Sequence, residues 1–145
     1  MLWYLLSTPF NGEIDSLIFV LLDFTYRENY GAALAIADEI IQKYPQEPHG
    51  YFFKAAVYDY YMEDYHVDKY SDKFFSNMEL AEKKAKENLN SLQDPKERAW
   101  MNFFIAGAAG YRAMRAGREG NYVVALKYAL EGLKPLKNAL EEDST

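Results

Sequence analysis

Hydrophobic residues recur along this chain every three or four positions, the spacing of a helix with one buried face. The pattern is clearest early on, where Ile14, Leu17, Ile18, Leu21 and Leu22 share one stripe. The same periodicity predicts helices at about 13–27, 30–44, 48–63, 71–92, 95–117 and from 121 onward. We therefore predict an all-α protein of about six helices.

Proline and capping residues divide the predicted helices. Pro45 ends the second helix, and Asp94-Pro95 is the strongest helix start, since Asp caps a helix and Pro suits its first turn. Residues 62–72 (MEDYHVDKYSD) are polar, acidic and aromatic together, and they indicate either an extended connection or a ragged pair of helix ends. Pro135 is expected to kink or split the last helix.

These boundaries predict one domain of antiparallel hairpins, either whole or cut from a longer protein. Its parts are an apolar lead-in at 1–10 and hairpins at 12–45, 48–92 and 94–142. The apolar start is expected to need a partner, whereas the polar last helix is expected to cap the other end. The small residues at the centre of the fifth helix, Gly107 and Gly110, indicate the close approach of another backbone or a ligand.

The sequence Asn-Tyr-x-x-Ala-Leu occurs twice, at 29–34 and at 121–126. In the first copy Pro45 follows at the end of the helix. A Tyr-x-x-Ala-Leu helix start followed by a closing proline resembles the tetratricopeptide repeat, over about residues 12–135. Pro45 and Pro95 lie 50 residues apart, so the middle copy is stretched relative to that family's repeat.

The resemblance implies hairpins stacked as a right-handed superhelical array that binds proteins in a concave groove. The first helix of each pair lines such a groove. The groove-facing residues carried over from the family are Tyr26, His49, Phe52, Asp59, Tyr60 and Met114.

Charge and composition narrow the possible partners. The net charge is −6, with 16 basic and 22 acidic residues, which argues against a nucleic-acid partner. The one basic cluster, Arg112, Arg115 and Arg118, is interpreted as solvated helix surface or as a docking patch for an acidic partner. The chain has no cysteine, which excludes disulfides and cysteine-ligated zinc. It also lacks the run of about 18 apolar residues that a membrane span needs.

The motifs of the chain do not predict a reaction or a cofactor. Acidic residues and His66 crowd positions 59–68, a grouping that resembles a metal site but is interpreted as a solvated acidic loop. Neither a Gly-x-Ser-x-Gly motif nor a phosphate-binding glycine loop is present. We therefore expect a non-enzyme.

The expected function is a protein-interaction scaffold or self-assembling adaptor of tetratricopeptide type. Its partner is expected to be a protein or peptide, with homo-oligomerisation through the apolar N-terminus. The alternative is a small-molecule or metal-binding helical domain that uses the tyrosine-rich 51–70 region. The sequence leaves the compartment open between the cytoplasm and, if a leader was removed, the periplasm.

Overall fold

The computed structural model describes residues 12–144, which form six α-helices and no strand. The prediction of an all-helical protein is therefore confirmed for this range. The helices are α1 (Gly12–Tyr26), α2 (Tyr30–Lys43), α3 (His49–Tyr65), α4 (Ser71–Leu89), α5 (Pro95–Arg118) and α6 (Tyr122–Asp143).

The helices pack in the order of the chain. Each one contacts the next, and α1 also contacts α3 while α3 contacts α5. Neighbouring helices are antiparallel: Lys43 at the end of α2 binds Glu13 at the start of α1, at 2.9 Å. Arg98 near the start of α5 likewise binds Glu142 near the end of α6, at 3.2 Å. As a result, α1 and α6 lie at opposite ends of the array.

The hydrophobic core is built from α1 to α5. Its large, fully buried members include Ile18, Ile40, Phe74 and Phe104, one from each of α1, α2, α4 and α5. Within α6 only Ala139 is buried. The last helix therefore rests on the core without contributing a large side chain to it.

The two copies of the repeated motif form the same turn. Asn29 and Asn121 each cap the helix that follows, with a side-chain oxygen that accepts the backbone N–H three residues on. The preceding residue has a positive φ in both, 59° at Glu28 and 81° at Gly120. Each Asn donates its backbone N–H to a carbonyl five residues back, at 2.8 Å. The sequence repeat is therefore also a structural repeat, at an offset of 92 residues.

The structure excludes one of the two predicted alternatives for each of two irregular segments. Helix α3 continues to Tyr65 and α4 begins at Ser71, so the connection is 66–70 rather than an extended 62–72. The acids at 63 and 64 that suggested a polar loop belong to the last turn of α3, where Glu63 binds Arg115. Pro135 does not split α6, which runs through it without interruption.

Close packing through small residues explains the composition of α5 and α6. A Cβ placed on Gly107 would lie 3.1 Å from the Phe52 ring, so this glycine makes room for an aromatic side chain of α3 rather than for a backbone or a ligand. A Cβ on Gly132 would lie 3.2 Å from the Cβ of Ala109. Helix α6 therefore approaches α5 closely at its small residues, while the Tyr128 ring packs on Arg112 of α5, 4.6 Å from its centroid.

Gly50 should be the glycine least tolerant of substitution. An added Cβ would lie 2.6 Å from Cγ1 of Ile41 and 2.9 Å from its backbone nitrogen. Since backbone cannot move aside cheaply, we expect Gly50→Ala to cost about 2 kcal/mol of unfolding free energy, a typical overpacking penalty. Chemical denaturation measures this loss.

Gly31 is the matched control for Gly50. It lies inside α2, and nothing stands within 4 Å of an added Cβ. Gly31→Ala should stabilise the protein by about 0.5–1 kcal/mol, because alanine is the better helix former. Equal effects of the two substitutions would contradict the close contact between α2 and α3.

Candidate protein-binding surface

Three of the six predicted groove residues are exposed. Tyr26 is 89% exposed, while Tyr60 and Met114 are each 49% exposed. They lie towards the C-terminal ends of α1, α3 and α5, which run in the same direction because neighbouring helices are antiparallel. All three therefore lie along the same edge of the array, the edge formed by the C-terminal ends of the first helices of the hairpins.

The other three predicted groove residues are buried, so the structure corrects their placement. His49 has no exposed surface, and Phe52 and Asp59 are each 6% exposed. The His49 ring packs edge-on against Phe104, with centroids 4.7 Å apart. The alignment of this chain with the tetratricopeptide repeat had placed all three in a groove. In the structure they are instead buried between packed helices.

Two of the three clustered arginines are buried and paired rather than solvated. Arg115 is 3% exposed and binds Asp59 at 2.9 Å and Glu63 at 2.5 Å, which ties α5 to α3. Arg112 is 5% exposed and binds Glu82, which ties α5 to α4. Only Arg118 of the three keeps a large exposed fraction, and it also contacts Asp59, at 3.3 Å. These arginines therefore form ion pairs that connect α5 to α3 and to α4.

Side chains of the acidic and tyrosine-rich region contact other residues of the protein. Its acids pair with other helices: Glu63 with Arg115, and Asp64 with the Tyr30 hydroxyl. Lys69 lies over the rings of Tyr61 and Tyr70, 5.0 Å from each centroid. Residues 12–144 hold no group of three or more potential metal ligands.

Several large apolar side chains are exposed along α6. They include five aliphatic residues that we call the α6 stripe: Val123 (82% exposed), Leu126 (61%), Leu130 (59%), Leu133 (61%) and Leu140 (65%). Large exposed apolar patches are uncommon on soluble monomers, and they are typical of interaction sites. The expectation that the last helix forms a polar cap is therefore wrong.

The two copies of the repeated motif differ in what their helices contact. In α2, Asp38 binds Lys54 of α3 at 2.7 Å, and Ile41 packs against Gly50 of α3. At the 92-residue offset these two positions become Leu130 and Leu133, both in the α6 stripe. Two positions through which α2 contacts α3 thus correspond to exposed leucines of α6, and of these two positions Asp38 keeps 60% of its side chain exposed.

The tyrosine of the repeated motif shows the same contrast. Tyr30 is 6% exposed and packs edge-on against Tyr61 and Tyr65 of α3, whereas its counterpart Tyr122 is 74% exposed. The two tyrosines have the same position in the motif but not the same neighbours. Tyr122, Leu130 and Leu133 are therefore exposed at positions whose counterparts in α2 contact α3.

The stripe runs into a groove at the end of α6. This groove has a volume of about 340 Å³ and lies between the first half of α5 and the second half of α6. Its walls are mostly apolar: Ala99, Trp100, Phe103, Leu136, Ala139, Leu140 and Asp143. Leu140 belongs both to the groove and to the stripe, so the two surfaces are continuous.

Comparisons with known proteins give no further guide to the function. The chain matches no protein-family model, no curated protein and no solved structure. Within residues 12–144, no helix has the length and apolarity to cross a membrane. Any functional conclusion about this chain therefore rests on its own surfaces.

Proposed function

We propose that this chain is a non-enzymatic, tetratricopeptide-like scaffold that binds proteins. The observation that carries the proposal is the uncovered α6 stripe. Five exposed aliphatic side chains on one face of a helix are costly in water, at roughly 25 cal/mol for each Å² left uncovered, and a protein partner removes that cost. The sequential packing of hairpins and the repeated capping turn support the likeness to tetratricopeptide arrays.

The stripe favours a helix as the bound element. Its residues follow helical spacing, and two of the equivalent positions of α2, Asp38 and Ile41, contact helix α3 in this same fold. The three exposed predicted groove residues, Tyr26, Tyr60 and Met114, form a second candidate surface for a peptide. The proposed association through the apolar N-terminus involves residues 1–10, which lie outside the described part of the chain.

A capture experiment tests the proposal. The full chain and a Leu126→Ser/Leu133→Ser variant are immobilised and exposed to lysate of the source organism, and bound proteins are quantified by mass spectrometry. We expect specific partners on the unaltered chain and their loss from the variant, because both leucines lie in the stripe. The purified partner should then bind the unaltered chain in calorimetry.

Phe19 provides the matched control. It is 58% exposed on α1, at the opposite end of the array, so Phe19→Ser removes a comparable apolar surface without touching the stripe. This variant should retain the partners. Capture of the same proteins by all three forms would contradict a role for the stripe. A chain that captures nothing and also stays monomeric would overturn the proposed function.

A further inference from the structure

The α6 stripe has the residue spacing of a two-helix seam. Its members at 123, 126, 130, 133 and 140 are separated by alternating steps of three and four, with Lys137 at the one remaining position of the series. This is the a and d pattern of a coiled coil, in which each apolar side chain inserts between those of a facing helix. At 1.5 Å per residue the stripe is about 26 Å long, nearly the full length of α6.

We propose that the α6 stripe pairs with the α6 stripe of a second copy of this chain, with the two helices antiparallel. This inference rests on the proposed function, because it names the partner that the stripe binds. In this arrangement Leu130 of one copy packs beside Leu133 of the other, and Val123 beside Leu140. Both copies contribute the same surface to this contact, as a two-fold symmetric dimer requires.

The charges beside the stripe favour the antiparallel orientation. Lys127 and Glu141 lie two heptads apart on the same edge, with side chains 70% and 64% exposed. Antiparallel pairing places Lys127 of one copy beside Glu141 of the other at both ends of the contact, and Lys134 beside its own copy at the centre, so two attractions on this edge outweigh one repulsion. Parallel pairing would instead place Lys137 against its own copy inside the seam, where like charges repel.

The oligomeric state of the purified full chain is the first test. Light scattering and sedimentation over a wide concentration range should give the mass of a dimer. Leu130→Lys/Leu133→Lys should give a folded monomer, because both side chains are exposed and their replacement leaves the core intact. Circular dichroism checks the fold, and Phe19→Lys should remain dimeric.

A charge exchange tests the orientation. Lys127→Glu should raise the dimer Kd about tenfold, since two surface ion pairs become two repulsions. Combining it with Glu141→Lys should restore the original Kd. A double variant no better than the single one would overturn antiparallel pairing.

Cysteine cross-linking provides an independent readout, because the natural chain has no cysteine. A mixture of Val123→Cys and Leu140→Cys chains should form a disulfide between copies, while Leu140→Cys alone should not. The reverse result would establish parallel pairing and overturn the proposal. So would growth into larger polymers, which would indicate contact between α6 and the other end of the array.

Two further results would also overturn the dimer. One is a chain that is monomeric at every concentration. The other is a dimer that forms only after deletion of residues 1–10, which would show that this segment of the chain covers the stripe. In either case, continued capture of stripe-dependent partners would leave the proposed function standing, so the two failures are distinguishable.

Discussion

Replacing Arg115 with methionine should cost about 3 kcal/mol of unfolding free energy, because it leaves buried carboxylate charge without its main partner. Arg115 is 3% exposed and holds Asp59, itself 6% exposed, at 2.9 Å. Removing one member of a buried pair is far more damaging than removing both. Urea denaturation of Arg115→Met beside the unaltered chain measures the loss.

Arg118→Met is the matched control for this substitution. Its guanidinium also contacts Asp59, but the side chain is 41% exposed, so the expected loss is below about 1 kcal/mol. The double variant Asp59→Leu/Arg115→Met should recover part of the stability lost by Arg115→Met alone, since it removes both charges. If Arg115→Met were no worse than Arg118→Met, the buried pair would not be holding α3 to α5.

His49 should make the fold sensitive to mild acid. Burial lowers the pKa of its imidazole from 6.5 to about 4. Below pH 6.5 the unfolded chain takes up a proton that the folded chain does not, so stability falls between pH 6.5 and 4. At 1.36 kcal/mol for each pKa unit, this group alone removes about 3 kcal/mol across that range.

Comparison with His49→Gln isolates this contribution from that of the carboxylates. Between pH 7 and 4 the unaltered chain should lose about 3 kcal/mol more than the variant, because glutamine does not titrate. NMR titration of the folded protein should place the pKa of His49 near 4. If the unfolding free energies of the two chains differed by a constant amount from pH 7 to pH 4, the pKa of His49 would be the same in the folded and unfolded chains.

The sequence predicted the helices well because their signals are local. The hydrophobic stripe of α1, the Asp94 cap and the repeated Asn-Tyr turn each depend on residues within one or two turns of helix. The extended connection at 62–72 was not found because its first residues, such as Glu63, are held in α3 by contacts with α5. Those contacts come from a residue 52 positions away, which no local pattern reveals.

The candidate surfaces were harder to predict for the same reason. The register carried over from the tetratricopeptide family placed Asp59 and Phe52 in a groove, but their burial is decided by helices distant in the sequence. The α6 stripe is visible in the spacing of its leucines, yet a regular apolar series normally indicates a buried face. Only the structure shows that α6 packs through Gly132 and Ala139 and turns its leucines outward.

The chain-order packing of the helices bears on how this protein folds. Contacts between helices that are consecutive in the sequence close only short loops, and domains with such topologies fold quickly. Stability in an array of this kind is close to a sum of neighbour contacts, so it declines towards the ends. Helices α1 and α6 lie at the two ends, so we expect faster amide exchange in them than in the four helices between, and α6 is held mainly by α5. A bound helix on its outer face would slow that exchange and extend the cooperative unit to the last residues of α6.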